Sequence, residues 1–363
     1  MCVDTVYLDF TKAFDKVAHC DLIQKLHARH IPNALVTWIA SFLSNRSQSV
    51  VIDGIRSACR SVTSGVPQGS VLGPLLFVLY SDDIDKVITP QVKIRKYADD
   101  IKLYCSYANS EENVAHAAMQ LSLENILRWS DDNGLPINLK KSCRMHFGSK
   151  NVSLPYQIGY TTLVERTCER DLGVYIDNRM KFDDHIRHVV MKARSVAGRI
   201  LRCFSSRNPF VILPLFDTLV RPILEYATPA WNPSLAKHIK AIESVQRNVT
   251  KRLCGLQKFS YGDRIRALEV SSLRARRDYI DLVEMFKIIH SYSVCGHVAV
   301  PTRSAYATRG HAYRLEQCKC SLNSYRFSFF VRVVKAWNCL PRKVVDSKSL
   351  NQFKVNLRRH LHI

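Results

Sequence analysis

The feature that most constrains this chain is a pair of adjacent acidic residues between two strand-like segments. Residues 92–97 and 101–105 have the composition of short β-strands, and Asp99 and Asp100 lie in the connection between them. This spacing predicts a β-hairpin with two carboxylates at its turn. Adjacent carboxylates repel each other unless a cation lies between them, and Mg²⁺ prefers carboxylate oxygens together with water and phosphate oxygens. The sequence therefore predicts a hairpin that binds a divalent cation.

Aspartate pairs alone are a weak signal, because the chain has three others, and each of those has a structural explanation. They lie at residues 82–83, 131–132 and 183–184. The first pair ends an apolar helix-like run, the second precedes an Asn-Gly turn, and the third lies where a helix N-terminus favours negative charge. We therefore expect structural roles for these three pairs.

A third acid completes the predicted cation site. Asp9 ends the apolar segment 6–8 and should project from the end of a strand. Three carboxylates at neighbouring strand ends suit a two-metal site, in which one ion activates a 3′-hydroxyl and the other neutralises a triphosphate.

The first 150 residues alternate short apolar strands with helices. Two strands are predicted around an Asp-Gly turn at 53–54, because such dipeptides favour tight hairpins. A helix is predicted after Ser110, which is a suitable N-cap, with Val114, Ala118 and Leu121 on its buried face. This mixture predicts an α+β layer.

Beyond about residue 180 the pattern changes to long amphipathic helices with one apolar face and one basic face. The basic residues are Arg187, Lys192, Arg194, Arg199 and Arg202 in one helix and Lys237, Lys240, Arg247, Lys251 and Arg252 in another. Lys and Arg number 53 against 31 Asp and Glu, a formal net charge of +22. A solvated face explains any single lysine, but repeated basic helices beside an acidic layer favour a nucleic-acid channel. No apolar run approaches the roughly eighteen residues of a membrane span, so no membrane partner is predicted.

Three motifs in order resemble motifs A, B and C of reverse transcriptases: LDFTKAFD at 8–15, SGVPQGSVLGPLLF at 64–77 and YADD at 97–100. Further segments resemble the LINE-type, non-LTR retrotransposon lineage: GLPINLKKS at 134–142, DLGVYID at 171–177, KFDDHI at 181–186 and AWNCLP at 336–341. The resemblance implies an α+β polymerase palm, an antiparallel sheet with packed helices, over residues 1–150. It further implies a primer-grip-like hairpin at 151–180, a helical thumb at 181–256 and a helical basic C-terminal region at 257–363.

The resemblance also assigns roles at the predicted cation site. Asp9, Asp99 and Asp100 would be the ligands of Mg²⁺, with Mn²⁺ as a possible substitute. Lys141 resembles the motif D lysine that protonates the leaving pyrophosphate. The neighbouring Lys140 is an alternative for that role, and a solvated lysine without a catalytic role is another.

Nucleotide and primer contacts follow from the same motifs. Phe10 would bring its carbonyl near the second ion, and Phe14 would lie under the incoming sugar and exclude a 2′-hydroxyl, or else simply pack in the core. The incoming nucleotide would contact Gln68 and Gly69. The remaining assignments are to primer and template: Tyr97 at the primer end, Gly173 in the primer-holding hairpin, and Arg194 and Arg247 on the basic helices.

The implied activity is RNA-directed DNA polymerisation, in which a DNA primer is extended with deoxynucleoside triphosphates on an RNA template. The family resemblance implies a ribonucleoprotein in cytoplasm and nucleus, and the sequence does not predict an oligomeric state. Motif A begins only a few residues after Met1. We therefore expect a fragment without the fingers and endonuclease regions of such elements. The alternative is a catalytically silent RNA-binding remnant that keeps its basic helices.

Overall fold

The computed structural model describes residues 1–293, 302, 311–317, 320 and 323–362. The chain forms two compact units, Met1–Glu169 and Arg170–Ile363. The division falls within the predicted hairpin region 151–180. The four domain assignments based on the resemblance remain predictions.

The first unit is a mixed α+β fold. Its strands are β1 (Cys2–Leu8), β2 (Ser47–Gln48), β3 (Val51–Ile52), β4 (Ile55–Arg56), β5 (Arg60–Ser61), β6 (Lys93–Tyr97), β7 (Asp100–Tyr107), β8 (Cys143–Phe147), β9 (Gln157–Ile158), β10 (Thr161–Thr162) and β11 (Val164–Glu165). Its helices are α1 (Ala13–Lys16), α2 (His19–Ala28), α3 (Asn33–Leu43), α4 (Leu72–Ser81) and α5 (Glu112–Asp132), with 3₁₀ turns at Asp82–Val87 and Asn109–Glu111.

Five of these strands form one sheet in the order β11-β8-β1-β7-β6. The central strand β1 runs antiparallel to both of its neighbours, β7 and β8, and only β11 pairs in parallel. Val6 on β1 and Leu103 on β7 are completely buried, as expected for the middle of a sheet covered by helices. Because Leu8 pairs with Ile101, the end of β1 lies beside the β6–β7 turn.

Short hairpins and helices complete this unit. Asp53 and Gly54 both have positive φ, 49° and 81°, and join β3 to β4 as the Asp-Gly dipeptide predicted. Helix α5 packs against β7, and α2 packs against α3 and α4. The predicted N-cap of α5 was wrong, because the 3₁₀ turn that contains Ser110 precedes the helix and Glu111 occupies the N-cap position.

The three remaining aspartate pairs lie where they were predicted, and members of two of them form ion pairs. Asp82 and Asp83 form ion pairs with Arg29 and Lys25, at 2.8 and 2.9 Å. In the second unit, Asp183 pairs with Lys237 at 2.8 Å near the start of a helix. Residues 131–132 end α5. These three pairs are therefore not part of the predicted cation site at Asp9, Asp99 and Asp100.

The second unit is helical. The division between the units falls within β12 (Cys168–Asp171), which forms a two-stranded sheet with β13 (Val174–Asp177). The helices are α6 (Asp183–Cys203), α7 (Pro209–Leu215), α8 (Arg221–Glu225), α9 (Thr228–Trp231), α10 (Ala236–Thr250), α11 (Tyr261–Ala267), α12 (Leu273–Ile289), α13 (Asn323–Arg326), α14 (Phe329–Asn338), α15 (Arg342–Val345) and α16 (Leu350–Leu361), with a π-helical turn at Phe216–Val220.

Among its described residues, two apolar cores stabilise this unit. One lies where α6 packs against α8 and α10, and it includes the buried ring of Trp231. The other lies between α12, α14 and α16 and includes Trp337 and Phe353. Across the described part of the chain, no helix combines the length and apolar composition that crossing a bilayer requires.

Candidate active site

The backbone of Asp9 is fixed by a loop that follows α5. The amide of Asp9 donates to Ser142 Oγ at 3.3 Å, and the amide of Asn138 donates to the Asp9 carbonyl at 2.7 Å. The Ser142 hydroxyl itself donates to the Asn138 carbonyl at 2.9 Å and is buried. The Asp9 peptide is therefore held on both its amide and its carbonyl side.

The same loop brings a lysine to the Asp9 carboxylate. Lys141 Nζ lies 3.0 Å from Asp9 Oδ2, and the two side chains are 69% and 19% exposed. Asp9 raises the pKa of Lys141 above its usual range, and the charges of Asp99 and Asp100 add to this effect. Lys140, the alternative motif D lysine, is exposed and has no side-chain partner among the described residues. The structure therefore brings Lys141 and not Lys140 to the carboxylates.

Asp99 and Asp100 lie at the predicted hairpin turn. Tyr97 pairs with Asp100 to close the turn, and Ala98 adopts a left-handed conformation with φ of 54°. A non-glycine residue in this region carries backbone strain, which tends to persist at functional sites. Asp99 is half-buried, Asp100 is exposed, and the side chain of Tyr97 is 68% exposed.

Asp9, Asp99 and Asp100 are not already arranged as a set of metal ligands in this structure. No group of three acidic, histidine or cysteine side chains is gathered as a metal site in the described ranges. Asp9 Oδ2, however, is shielded from solvent and accepts no hydrogen bond of good geometry; its neighbour is the Lys141 ammonium. Carboxylate oxygens are the ligands that Mg²⁺ prefers, so these residues fit a divalent cation in donor chemistry. In this structure Lys141 supplies the positive charge beside Asp9.

The motif B loop packs on motif A. The Val66 amide donates to the Phe14 carbonyl at 2.8 Å, and Gly65 has a φ of 89°. A Cβ at Gly65 would lie 2.8 Å from the Asp15 Cα atom, so only glycine fits this approach. Gln68 Nε2 donates to Asp15 Oδ1 at 3.0 Å. Asp15 therefore orients Gln68, which is a predicted nucleotide-binding residue.

The aromatic residues of motif A are partly or fully in the core. The Phe14 ring stacks on Phe77 with centroids 4.8 Å apart, and it is half-buried, so one part of the ring stays accessible. Phe10 is 3% exposed and packs near Trp129, which leaves its backbone carbonyl as the group available for the predicted role. Gly69 has a φ of 80° and open space around it.

The other predicted contacts belong to the second unit. Gly173 and Leu172 form the β12–β13 turn, and Tyr226 Oη donates to the Leu172 carbonyl at 3.0 Å. Arg194 is exposed on α6 and donates to Ser244 Oγ at 2.8 Å. Arg247 is exposed on α10, with its guanidinium 5.0 Å from the centre of the Tyr261 ring.

Similarity to known proteins assigns the family. A family profile described as "Reverse transcriptase (RNA-dependent DNA polymerase)" matches residues 5–189, which include motifs A to D. This chain belongs to the reverse transcriptase family. It is 26% identical over 259 residues to the RNA-directed DNA polymerase from mobile element jockey of Drosophila melanogaster, covering 69% of this chain and 28% of that protein. It is 27% identical over 263 residues to the probable RNA-directed DNA polymerase from transposon X-element of the same fly, covering 70% and 29%.

The lineage is that of the LINE-type, non-LTR retrotransposons, as predicted. The chain spans under a third of the length of these two reverse transcriptase relatives. Among solved structures, a telomerase from Candida tropicalis with a fragment of telomeric RNA is similar with a TM-score of 0.41 and 10% identity, covering 99% of this chain and 47% of that one. A similarity this low adds nothing to the assignment.

Proposed function

We propose that this chain is the catalytic part of an RNA-directed DNA polymerase, which uses Mg²⁺ or Mn²⁺ to extend a DNA primer on an RNA template. One observation carries the proposal. Lys141 contacts Asp9, and Leu8 pairs with Ile101 beside the turn that carries Asp99 and Asp100, so three motifs far apart in sequence lie together at the ends of the central strands. The polymerase fold that we propose has its palm in the first unit and its thumb in the helices that follow.

In this proposal the bond chemistry is a single displacement. The primer 3′-oxygen forms a bond to the α-phosphorus of the deoxynucleoside triphosphate, the bond to the bridging oxygen breaks, and the hydroxyl proton leaves to solvent. Asp9, Asp99 and Asp100 would hold the metal ions, and these ions would lower the pKa of the hydroxyl and neutralise charge on the phosphates. The Lys141 ammonium, which lies 3.0 Å from Asp9 Oδ2, would donate a proton to the leaving pyrophosphate.

The remaining residues position the substrates. Phe14 would lie under the incoming sugar and exclude ribonucleotides, Gln68 and Gly69 would contact the nucleotide, and Phe10 would offer its carbonyl near the second ion. The exposed ring of Tyr97 contacts the primer end. In the second unit, the turn at Gly173 holds the primer, and Arg194 and Arg247 bind nucleic-acid phosphates. We further propose that the protein acts in a ribonucleoprotein in cytoplasm and nucleus.

The test is primer extension on a poly(rA) template with Mg²⁺ or Mn²⁺, run beside RNA filter binding on the same preparation. Asp9→Asn and Asp99→Asn each remove a metal ligand but no phosphate contact, so extension should fall at least about 100-fold while RNA binding persists. Asp132→Asn is the control, because Asp132 is an exposed member of another aspartate pair. Substantial extension by both ligand variants would disprove the metal assignment. RNA binding without extension by the unmodified chain would favour the silent remnant.

A further inference from the structure

A cavity of about 280 Å³ lies in the second unit. It is lined by residues of α10, α12 and α14, by the loop that joins α9 to α10, and by Phe327 just before α14. None of the residues to which the proposed function gives a role is among its lining residues. A volume of this size is at the small end for ligand pockets, so the cavity suits a small molecule.

The cavity is lined by an arginine that the protein buries almost completely. Arg277 is 1% exposed, and its Nε donates to Asn232 Oδ1 at 3.2 Å. Its Nη1 is shielded from solvent and has no hydrogen-bond partner among the described residues. A buried guanidinium with an unsatisfied N–H group is unfavourable, because the group has lost water and gained no acceptor. Arg277 therefore lacks an acceptor.

The acids that line the cavity do not supply this acceptor. Asp281 is 4% exposed, and its oxygens accept from Arg332 at 3.0 and 3.1 Å and from Asn232 at 2.8 Å. Asp278 is exposed and forms no ion pair in the part of the chain that the structure describes. Burial lowers the pKa of Arg277 below its usual range, and the nearby acids oppose that shift without cancelling it.

The charge and polarity of the lining indicate the kind of ligand. Three arginines and two aspartates line the cavity, which leaves a surplus of one positive charge. Apolar side chains form much of the remaining lining, among them Ile239, Leu282, Phe327 and Val333. A guanidinium pairs well with a carboxylate, because two parallel hydrogen bonds can form between the planar groups. The lining therefore suits a monoanion that joins a carboxylate to an apolar body.

We propose that this cavity binds a small organic monocarboxylate with an aliphatic or aromatic body, whose carboxylate accepts hydrogen bonds from Arg277. The proposal goes beyond polymerisation and does not depend on it. A phosphate monoester matches the surplus charge less well, because it carries about −1.5 to −2 charges at neutral pH. Nucleic-acid phosphates suit cations on a surface, such as the exposed Arg274, and not the buried Arg277.

The experiment is thermal unfolding of the full chain with benzoate, phenylacetate or hexanoate at about 10 mM, which nearly saturates a site with a Kd of about 1 mM. Benzamide, the neutral counterpart of benzoate, reports the apolar body alone, and phenyl phosphate tests a phosphate group. We expect at least one carboxylate to raise the melting temperature by about 2 to 4 °C. Benzamide should leave the melting temperature unchanged.

Arg277→Met removes the guanidinium and should abolish this rise. Without a ligand the variant should melt no lower than the unmodified chain, because an apolar side chain replaces an unsatisfied buried charge. Arg264→Met is the matched control, since Arg264 is also buried but donates hydrogen bonds to Thr250, Phe259 and Arg247. That variant should melt at a lower temperature and still show the rise with the carboxylate.

Ala336→Leu gives a second test if Arg277→Met does not fold. Ala336 is exposed and lines the cavity, so a larger side chain there narrows the cavity and leaves the guanidinium in place. Loss of the carboxylate rise in either variant supports the site. An equal rise with benzamide, a rise with phenyl phosphate alone, a rise that the folded variants retain, or no rise with any carboxylate overturns the proposal. So does a rise that only RNA produces and that Arg277→Met abolishes, because the cavity would then bind nucleic acid.

Discussion

Hydrogen bonds to its backbone hold Asp9 in place, and Ser142 makes one of them. We therefore expect Ser142 to be important for the position of Asp9. Ser142 Oγ accepts from the Asp9 amide and donates to the Asn138 carbonyl, and the side chain is buried. We expect Ser142→Ala to cost about 1 to 2 kcal/mol in the free energy of unfolding, because a buried amide loses its acceptor. We also expect weaker Mn²⁺ binding, measured by electron paramagnetic resonance, because Asp9 is less well fixed.

The conservative Ser142→Thr is the control for this prediction. It keeps the hydroxyl and should restore Mn²⁺ affinity even if the extra methyl group lowers the melting temperature. A Ser142→Ala protein that loses stability but binds Mn²⁺ as the unmodified chain does would reduce Ser142 to a purely structural residue.

His185 at the start of α6 should make the second unit sensitive to acid. The ring is buried, its Nδ1 accepts from the Tyr175 amide at 3.3 Å, and it packs edge-on against Trp231. Burial lowers the pKa of His185 to about 4, and the charge of His188 adds to the shift. The unfolded chain, with an ordinary histidine pKa of about 6.5, binds the proton first. Stability is therefore complete above about pH 6.5 and is lost as the pH falls toward 4.

Urea unfolding at several pH values tests this prediction. The free energy of unfolding should drop by about 2 kcal/mol between pH 7.5 and pH 5. In His185→Phe, which keeps an aromatic ring against Trp231, this drop should largely disappear, whatever the stability at neutral pH. His188→Gln should retain most of it, because His188 is exposed. An equal drop in the His185 variant would exclude this histidine as the cause.

At the scale of elements, the β12–β13 hairpin depends on one glycine and one tyrosine. Leu172 and Gly173 have φ of 44° and 86°, the pair of left-handed residues that a tight hairpin turn requires. A Cβ at Gly173 would lie 3.3 Å from Tyr226 Cε1. We expect Gly173→Ala to destabilise the second unit by about 1 to 3 kcal/mol, through backbone strain and this contact.

A matched variant separates the two contributions. Gly255→Ala also forces alanine into positive φ, 76°, but a Cβ there meets no atom within 4 Å. The excess loss of stability in Gly173→Ala over Gly255→Ala, measured by thermal unfolding, therefore reports the Tyr226 contact. Equal losses would show that Tyr226 simply moves aside.

The helices illustrate what periodicity can and cannot predict. The predicted apolar face of α6 is correct, because Ile186, Val190 and Ala193 are all buried. The predicted face of α5 was wrong: Val114 and Leu121 are 63% and 47% exposed. Three apolar residues near the start of a helix are too few to define its buried face. The buried face of α5 instead contains Ala115, Met119, Leu123, Ile126 and Trp129.

For the whole molecule, the sequence predicted the hairpin turn, the strand end at Asp9 and the basic helices, because each is a local pattern. It could not predict that Ser142 and Asn138 fix Asp9, or that Asp15 orients Gln68, since these contacts join loops 133 and 53 positions apart. The basic helix faces are exposed as predicted, although some charges are already paired, such as Arg187 with Asp184 at 3.0 Å. Unpaired charges on those faces are the better candidates for phosphate contacts.

The central position of β1 has a consequence for biosynthesis. Val3 pairs with Ser106 on one side and with Phe147 on the other, so β1 leaves the ribosome well before either of its partner strands is made. Sheets built from such distant pairs close slowly, and an apolar strand that is uncovered meanwhile is prone to aggregate. A nascent chain should therefore depend on chaperones until translation passes Phe147, and a translational pause before that point should reduce the yield of soluble protein.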